Sequence, residues 1–332
     1  MTFRTTKRLL ARSTRTGARV VRAGAVAGLK EVLPTPPTLA GVPEGEVVEL
    51  PGRGRTFVVD VPGPTTDAPT LVLLHGLSCT AYLGWAHSME ELSQTFRVIT
   101  FDQRWHGRGI RSPRFRITDC ADDVAAVMDA LDVDRALVAG YSMGGAVAQQ
   151  TWRQHPERVS GLLLCSTASN WRGHLGEKLF FPVMSAAMHP LSAFTLARVE
   201  LHAALLPESP AVDLSDPTRW AKDEFRSTSL WSLPEVLAEM GRYSSSDWLT
   251  EVDVPTAVVV TERDRTIPTD RQLRMAELVP GAEVFRAPGG HASVFLDAER
   301  WLPVFLEAVH RTARRAYGPS MRERSLGLRT GS

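Results

Sequence analysis

The amino-acid sequence predicts an α/β protein built on a mostly parallel β-sheet, with a long helical insertion late in the sheet. Three observations lead to this class. Short continuous apolar runs, typical of strands covered on both faces, recur along the chain. Segments of helical character separate them, and about ninety residues before Pro255 contain no such run. The runs are Leu71–Leu74, Val98–Phe101, Ala136–Ala139, Leu162–Cys165 and Ala257–Val260, with a weaker one at Glu283–Phe285.

The remaining elements of the core follow from local signals. Two short strand-like segments, Glu46–Leu50 and Thr56–Val61, are separated by a Gly-Arg-Gly turn, which predicts an antiparallel hairpin at the front edge of the sheet. Thr118 predicts the N-cap of a helix over Asp119–Leu131. A further helix is predicted over Ala146–His155, because Pro156 cannot continue it.

These signals divide the chain into four parts. We predict a basic N-terminal arm with a Pro-rich linker over residues 1–44, because Pro34, Pro36 and Pro37 end any helix there. Residues 45–166 and 251–315 form the predicted α/β core. Residues 167–250, rich in Phe, Trp and Met and interrupted by prolines, form a predicted helical lid. A basic C-terminal tail covers residues 316–332.

The composition is that of an ordinary globular protein: 332 residues, 43% hydrophobic and 23% charged. Three scattered cysteines, Cys79, Cys120 and Cys165, are too few for a disulfide framework or a four-ligand zinc site. They favour a reducing compartment. No stretch approaches the roughly eighteen apolar residues of a membrane span. We therefore expect a cytoplasmic protein that contacts a membrane at most peripherally.

The charge is segregated, although the net charge is only +1. Residues 1–30 hold eight basic side chains and no acid, and residues 311–332 hold six Arg and one acid. The 280 residues between them carry 24 basic and 36 acidic groups.

Five of the arm's basic residues share one helical face: Arg8, Arg12, Arg15, Arg19 and Arg22. This pattern predicts a solvated helix or disordered arm, or else a surface helix that weakly contacts anionic lipid headgroups. No aromatic residue interleaves with these Arg residues, so nucleic acid is not an expected partner. Because Arg interrupts every apolar stretch, we also expect no secretory signal.

The pentapeptide Gly140-Tyr141-Ser142-Met143-Gly144 fits the pattern G-x-S-x-G. An apolar strand ends directly before it, and a helix of small residues begins directly after it. This context predicts a nucleophile elbow, in which a tight turn holds Ser142 in a strained conformation above the sheet. At a helix N-terminus, backbone N–H groups could stabilise negative charge there. The alternative, a Gly-rich turn that only packs a helix on a strand, is weakened by the residues considered next.

A serine nucleophile needs a base, and the base needs an acid that orients it. His291 is the candidate base, because a glycine pair places it in a loop after the last weak strand. Asp264 is the candidate acid, since it follows the strand Ala257–Val260 with one strand between it and His291. Two carboxylates compete with it: Asp253 precedes that strand, and Glu262 is still close to the strand itself.

The tetrahedral intermediate formed on Ser142 carries a negative charge on the former carbonyl oxygen, and this oxyanion needs hydrogen-bond donors. Met143 supplies the N–H that follows the nucleophile. The sequence His75-Gly76-Leu77-Ser78 follows an early strand, and Gly76 allows the backbone to turn its amides inward. We therefore predict the Leu77 and Met143 N–H groups as the oxyanion hole.

Together these residues resemble the α/β-hydrolase fold superfamily in its lid-bearing, esterase-like branch. The resemblance rests on His75-Gly76, the stretch Phe101–Gly109, Ser142, Asp264 and His291, and on the order Ser, Asp, His. It covers roughly residues 45 to 310. It implies a mostly parallel sheet of about eight strands with helices on both faces, a lid after strand 6, and no cofactor. Family members usually carry Gly where this chain has Trp105.

The residue at the elbow narrows the expected chemistry. Haloalkane dehalogenases and epoxide hydrolases of this fold use Asp there, whereas this chain has Ser142. A Ser–His–Asp set indicates acyl transfer. We expect a carboxylic ester hydrolase that acts on a small-molecule ester with an apolar or lipid-like acyl group. Carbon–carbon bond hydrolases, thioesterases and cofactor-free perhydrolases share these residues and are alternative functions. A non-catalytic ligand receptor on the same fold is a further alternative. The sequence does not determine the oligomeric state.

Overall fold

The structure is a computed structural model that describes residues 42–173, 192–207, 212 and 214–318. Within the gaps it also describes five single positions: Glu177, Phe180, Phe181, Val183 and Ala186. Most of the predicted basic arm and tail, and part of the predicted lid, therefore lie outside the described residues. The four-part division of the chain stays a prediction.

An eight-stranded sheet forms the centre of the molecule. Its strands are β1 Glu46–Leu50, β2 Gly54–Val61, β3 Thr70–Leu74, β4 Arg97–Phe101, β5 Ala136–Tyr141, β6 Val159–Cys165, β7 Thr256–Thr261 and β8 Glu283–Ala287. The spatial order is β1-β2-β4-β3-β5-β6-β7-β8. β2 pairs antiparallel with both β1 and β4, and every pairing from β4 onward is parallel. The predicted α/β class, with a mostly parallel sheet and a front hairpin, is confirmed.

Helices cover both faces of this sheet. In the described residues they are α1 Ala81–Ser93, α2 Ile117–Ala130, α3 Met143–Gln154, α4 Ser192–Ala203, α5 Pro217–Ser227, α6 Leu233–Arg242, α7 Thr269–Leu278, α8 Ser293–Leu296 and α9 Ala298–Tyr317. Successive strand residues point to opposite faces, so Val72 and Leu74 join one apolar core while Leu71 and Leu73 join the other. Helices α2 and α3 pack into the first core, and α1 and α9 pack into the second.

The predicted start of α2 is wrong by two residues. The helix begins at Ile117, and the capping position is Arg116, whose backbone is extended (φ −139°, ψ 138°) and whose side chain makes no capping hydrogen bond. Thr118 lies inside the first turn. Burial of Ile117 and Cys120 in the core explains the earlier start, because the apolar face outweighs the capping preference of a single Thr.

The interval between β6 and β7 contains α4, α5 and α6, with short 3₁₀ turns at Leu230–Ser232 and Leu249–Glu251. An isolated antiparallel β-bridge between Asn170 and Ser244 joins the beginning of this interval to its end. We keep the name lid for residues 167–250 as predicted above. None of the helices in the described part of the chain is both long and apolar enough to cross a membrane.

Candidate active site

Ser142 lies between the end of β5 and the start of α3, in a strained backbone conformation. Its φ of 54° and ψ of −116° belong to a region that side-chain-bearing residues rarely adopt. The flanking glycines allow the turn to close. A Cβ on Gly140 would lie 2.1 Å from the Gly144 carbonyl oxygen, and a Cβ on Gly144 would lie 2.2 Å from the Leu74 carbonyl oxygen. The structure therefore forms the turn that the G-x-S-x-G pattern predicted.

The neighbouring strand holds this strained residue in place. The Ser142 N–H donates to the Cys165 carbonyl at 2.9 Å. The Ser142 carbonyl accepts hydrogen bonds from the Thr167 hydroxyl at 2.8 Å and from the Gly145 N–H at 3.0 Å. Because Cys165 ends β6 and Thr167 follows it, the sheet fixes the serine on both sides. Strain of this kind persists only where the surroundings over-determine it, as they do here.

Ser142, His291 and Asp264 form one continuous hydrogen-bonded chain. The Ser142 Oγ lies 2.9 Å from His291 Nε2, and His291 Nδ1 lies 2.7 Å from Asp264 Oδ2. The three residues come from loops at the carboxyl ends of β5, β8 and β7, which meet at one edge of the parallel sheet. The structure thus brings together the three side chains that the sequence singled out.

Asp264 is buried and its oxygens are fully used. Oδ1 accepts the backbone N–H groups of Thr266 and Ile267, both at 2.8 Å. Oδ2 accepts from His291, from the Thr261 hydroxyl at 2.8 Å and from the Gln272 amide at 3.2 Å. An ionised carboxylate only accepts hydrogen bonds, so His291 Nδ1 carries the proton. The lone pair of Nε2 therefore faces the Ser142 hydroxyl and can accept its proton.

The loop that carries His291 is tied to the loop that carries Asp264. The Arg263 N–H donates to the Gly289 carbonyl at 2.8 Å, and the Glu262 N–H donates to the Ala287 carbonyl at 3.1 Å. Gly289 has a φ of 97°, which favours glycine, and a Cβ there would meet the Ser293 hydroxyl at 2.1 Å. The loop that carries His291 is therefore held by a closely packed turn at Gly289.

The two competing carboxylates lie outside this chain of hydrogen bonds. The Glu262 side chain is exposed. Asp253 lies before β7, where it accepts a hydrogen bond from the Trp152 indole at 3.3 Å. Within the described residues neither side chain forms a hydrogen bond with His291, which favours Asp264 as the partner of the histidine.

The predicted oxyanion donors lie on the two loops that flank the serine. Met143 is the first residue of α3 and is fully buried. Gly76 packs against the elbow, since a Cβ on it would lie 3.4 Å from the Ser142 Cβ, and Leu77 follows it. The loop after β3 is thus beside the nucleophile, as the prediction requires. The donor roles of the Leu77 and Met143 N–H groups stay predictions.

A buried histidine pair behind the site was not predicted. His75 Nε2 accepts the Gln103 N–H at 2.9 Å, while its Nδ1 donates to the Gly76 carbonyl at 2.8 Å. His106 packs edge to face on it, with ring centroids 5.3 Å apart. Burial lowers the pKa of His75 to about 4 and that of His106 to about 3. Both rings are therefore neutral at pH 7 and support the loop that carries Leu77.

The sequence also gave no sign of a buried ion pair between the core and the lid. Arg108, in the loop after β4, lies 3.3 Å from Oε1 of Glu224 in α5. Glu224 Oε2 accepts from the Thr80 hydroxyl at 2.6 Å. Burial raises the pKa of Glu224, and the nearby Asp102 raises it further. The Gly107 N–H also donates to the Thr228 hydroxyl at 3.0 Å, so the lid is joined to the core through several polar contacts.

We expect the Glu224→Gln substitution to lower the free energy of unfolding by about 2 kcal/mol, because Arg108 would lose its nearer carboxylate and keep only Asp102, 3.9 Å away. Urea unfolding followed by far-ultraviolet circular dichroism measures this change. Asp223→Asn is the matched control, since Asp223 is exposed and pairs only at the surface. It should change stability by no more than about 0.5 kcal/mol. Equal effects of the two substitutions would contradict a buried ion pair.

The buried His106 makes stability depend on pH. Its pKa is lowered from the ordinary 6.5 to about 3, first by burial and then by His75. The stability that depends on its neutral form is complete above pH 6.5 and is lost as the pH falls towards 3, because only the unfolded chain binds the proton in that window. We expect the unfolding free energy of the wild type, relative to His106→Phe, to fall by about 1.4 kcal/mol per pH unit below 6.5. A pH-independent difference would refute this.

Comparison with known proteins places the fold in a family. The sequence model of the alpha/beta hydrolase fold family matches residues 69–298, which include Ser142, Asp264 and His291. The chain belongs to the α/β hydrolase fold family. As in the resemblance noted from the sequence, an α/β hydrolase of this kind has a mostly parallel eight-stranded sheet with helices on both faces, and the structure has this sheet.

Three similar proteins illustrate the range within α/β hydrolases. “Putative carbamate hydrolase RutD” of Rhizobium rhizogenes (strain K84 / ATCC BAA-868) is 27% identical over 239 residues, covering 71% of this chain and 90% of that protein. “Poly(3-hydroxyalkanoate) depolymerase” of Ectopseudomonas oleovorans is 25% identical, covering 74% of this chain and 86% of that protein. The enol-lactonase structure from Burkholderia xenovorans LB400 has a TM-score of 0.63 at 21% identity, covering 80% and 99% of the two chains, and shows the fold alone.

Trp105 stands where the resemblance noted from the sequence implies a glycine. Its φ of 66° lies in the left-handed region, which explains why glycine suits the turn. The indole is fully buried in the core, and its N–H donates to the Ser112 carbonyl at 3.0 Å. Burial of the large ring thus offsets the backbone strain in this member of the family.

Proposed function

We propose that the protein is a serine hydrolase that cleaves carboxylic esters with an apolar or lipid-like acyl group through an acyl-enzyme. One observation carries this proposal: the continuous chain of hydrogen bonds from buried Asp264 through His291 to Ser142, at 2.7 and 2.9 Å. Membership of a hydrolase family supports it.

The geometry supports the following steps. His291 Nε2 accepts the proton as Ser142 Oγ attacks the ester carbonyl carbon. Asp264 stabilises the imidazolium and keeps the ring in place. The tetrahedral intermediate collapses, the alcohol leaves with the proton from His291, and the acyl group stays on Ser142. Water, deprotonated by His291, then attacks the acyl carbon. The second tetrahedral intermediate collapses as its bond to Ser142 Oγ breaks, the serine takes the proton back from His291, and the acid is released. Each protonation is thus made and reversed at the same imidazole nitrogen.

Negative charge develops on the carbonyl oxygen in both tetrahedral intermediates. In our proposal the Leu77 and Met143 N–H groups bind this oxygen. Such donors act in a water-poor site, and each contributes about 3 kcal/mol to stabilising the transition state. The rigid turn at Ser142 and the His75–Gln103 contact behind Leu77 would hold the donors without reorganisation.

The preference for an apolar acyl group rests on the composition of the lid. Among its described aromatic residues, Trp171, Trp220 and Tyr243 pack inside the molecule, so part of this apolar content serves the lid's own packing. Near the nucleophile, the Tyr141 ring packs on the His291 ring with centroids 5.4 Å apart, and on Phe295 at 5.9 Å. The depolymerase relative is by its name an enzyme of polyesters, which agrees with an ester substrate.

Carbamate hydrolysis is the second candidate. Several relatives at 26–28% identity share the name “Putative carbamate hydrolase RutD”, including those of Rhizobium rhizogenes and of Caulobacter strains. A carbamate carbonyl is attacked by the same serine, so the site geometry fits both substrates. Resonance stabilises the carbonyl group of an ester less than that of a carbamate. The ester carbonyl therefore needs less activation by the same site before Ser142 can attack it.

A series of p-nitrophenyl esters of increasing acyl length, with a p-nitrophenyl carbamate beside it, tests the proposal. We expect kcat/KM to rise by up to about fourfold for each added methylene until the pocket is filled. The carbamate should be cleaved more slowly than the ester of equal length. Faster cleavage of the carbamate would favour the second candidate, and no cleavage in either series would contradict both.

A further inference from the structure

The lid carries an exposed apolar surface that its own packing does not use. Eight of the nine large hydrophobic side chains exposed in the described residues lie in the lid, and Val284 is the ninth. Five of the eight lie on α4, the turn after it and the 3₁₀ turn. We call these five the lid patch: Phe194 (48% exposed), Leu201 (57%), Leu205 (77%), Leu230 (66%) and Trp231 (50%).

Helix α4 exposes large apolar side chains on the side opposite its buried one. Thr195 and Val199 face inward and are buried. Phe194, Arg198 and Leu201 recur at spacings of four and three, so they form one outward stripe, which Leu205 continues beyond the helix end. A helix at a protein surface normally buries its apolar side and exposes a polar one. The outward stripe of α4, with Phe194 and Leu201 exposed, departs from this pattern.

One cation lies at the centre of this patch. The Arg198 guanidinium carbon is 5.1 Å from the centroid of the Phe194 ring and 5.5 Å from that of the Trp231 ring. The two rings themselves meet edge to face with centroids 5.6 Å apart. Trp, Phe and Leu around an Arg are the combination found where proteins contact the interface between lipid headgroups and acyl chains.

The basic arm enters the described structure beside the lid. Pro43 accepts a hydrogen bond from the Tyr82 hydroxyl at 2.7 Å, and the Tyr82 ring lies 6.3 Å from the Trp220 ring in α5. Helix α5 contacts α4, where His202 Nε2 meets the Ser227 carbonyl at 3.1 Å. Pro43, close to the end of the arm, thus lies on the side of the molecule that carries α5.

We propose that the lid patch is a docking surface for an anionic lipid bilayer, and that the eight basic side chains of residues 1–30 add electrostatic attraction to it. The apolar side chains would enter the headgroup region, and Arg198 and the arm would attract the negative lipids. The acidic body of the chain would by itself be repelled from such a surface. The proposal concerns binding and is independent of the chemistry at Ser142.

Vesicle flotation with the full chain tests this. We expect it to bind vesicles of phosphatidylcholine and phosphatidylglycerol, to bind pure phosphatidylcholine far less, and to be released by salt. The combined substitution Phe194→Ser, Leu201→Ser and Trp231→Ser should weaken binding at least about tenfold. Val284→Ser is the matched control, because Val284 is equally an exposed apolar residue but lies on β8. It should bind like the wild type, as should Ser142→Ala.

The arm is tested in the full chain by changing Arg12, Arg15 and Arg19 to Gln, which should weaken binding and its salt dependence. If the triple lid variant unfolds, two other measurements replace it. Leu205→Ser should weaken vesicle binding. Brominated lipids should quench the fluorescence of Trp231 in the wild type, with Trp231→Phe as the control. Wild-type binding by the lid variant, or no binding by the wild type, would overturn the proposal. So would a wild-type dimer in sedimentation velocity that the lid variant loses, because the patch would then bind a second copy.

Discussion

Replacing Ser142 by alanine is expected to reduce kcat for ester hydrolysis by roughly 10⁶ while the protein stays folded. The reason is that His291 Nε2, 2.9 Å from the serine oxygen, would have no nucleophile to deprotonate. The rate is measured with the best p-nitrophenyl ester of the series. Far-ultraviolet circular dichroism and the unfolding midpoint show whether the fold is retained.

A second serine serves as the control for this change. Ser93, the last residue of α1, donates to the Glu90 carbonyl of the same helix at 2.8 Å. Ser93→Ala should therefore keep the wild-type rate. If Ser142→Ala hydrolyses the ester at a rate near that of the wild type, the hydroxyl of Ser142 is not the nucleophile and the proposed function is wrong.

Asp264→Asn is expected to lower kcat by about 10⁴. Oδ1 of residue 264 accepts two backbone N–H groups, at Thr266 and Ile267, so the amide oxygen of Asn is held there. The amide nitrogen would then face His291 Nδ1, where a carboxylate oxygen now lies at 2.7 Å. Two N–H groups cannot share that contact, so the His291 proton would move to Nε2. That nitrogen could no longer accept the proton of Ser142.

Two carboxylates near Asp264 provide controls. Glu262→Gln and Asp253→Asn should both keep kcat within a few-fold of the wild type, because among the described residues neither side chain forms a hydrogen bond with His291. Full activity of Asp264→Asn together with loss of activity in Glu262→Gln would show that the wrong acid had been assigned. The KM values should change little in all three variants.

The sequence could predict the sheet and the three central residues because their signals are local. Each apolar run predicts a buried strand by itself, and Ser142, Asp264 and His291 each follow such a run. Carboxyl ends of parallel strands meet at one edge, so the contact between these distant residues follows from the topology. The structure places the three residues in the loops that follow β5, β7 and β8.

Other features depend on tertiary contacts that no local pattern records. Arg108 and Glu224 are 116 residues apart and belong to segments whose sequences indicate only a loop and an amphipathic helix. The start of α2 at Ile117 depends on what its apolar face packs against, and Thr118 alone misled the prediction. The aromatic residues of the lid suggested a substrate surface, but composition cannot show that Trp220 is buried while Trp231 is exposed.

Labelling with a fluorophosphonate tests the central claim, an activated serine at position 142, most directly. The reagent phosphonylates only a serine whose proton is removed by a neighbouring base. Peptide mass spectrometry of the labelled full chain is expected to find one adduct, on Ser142, and to find none in Ser142→Ala and far less in Asp264→Asn. No adduct on the wild-type Ser142, or equal labelling of the wild type and Asp264→Asn, would contradict an activated serine and favour a binding protein on a hydrolase fold.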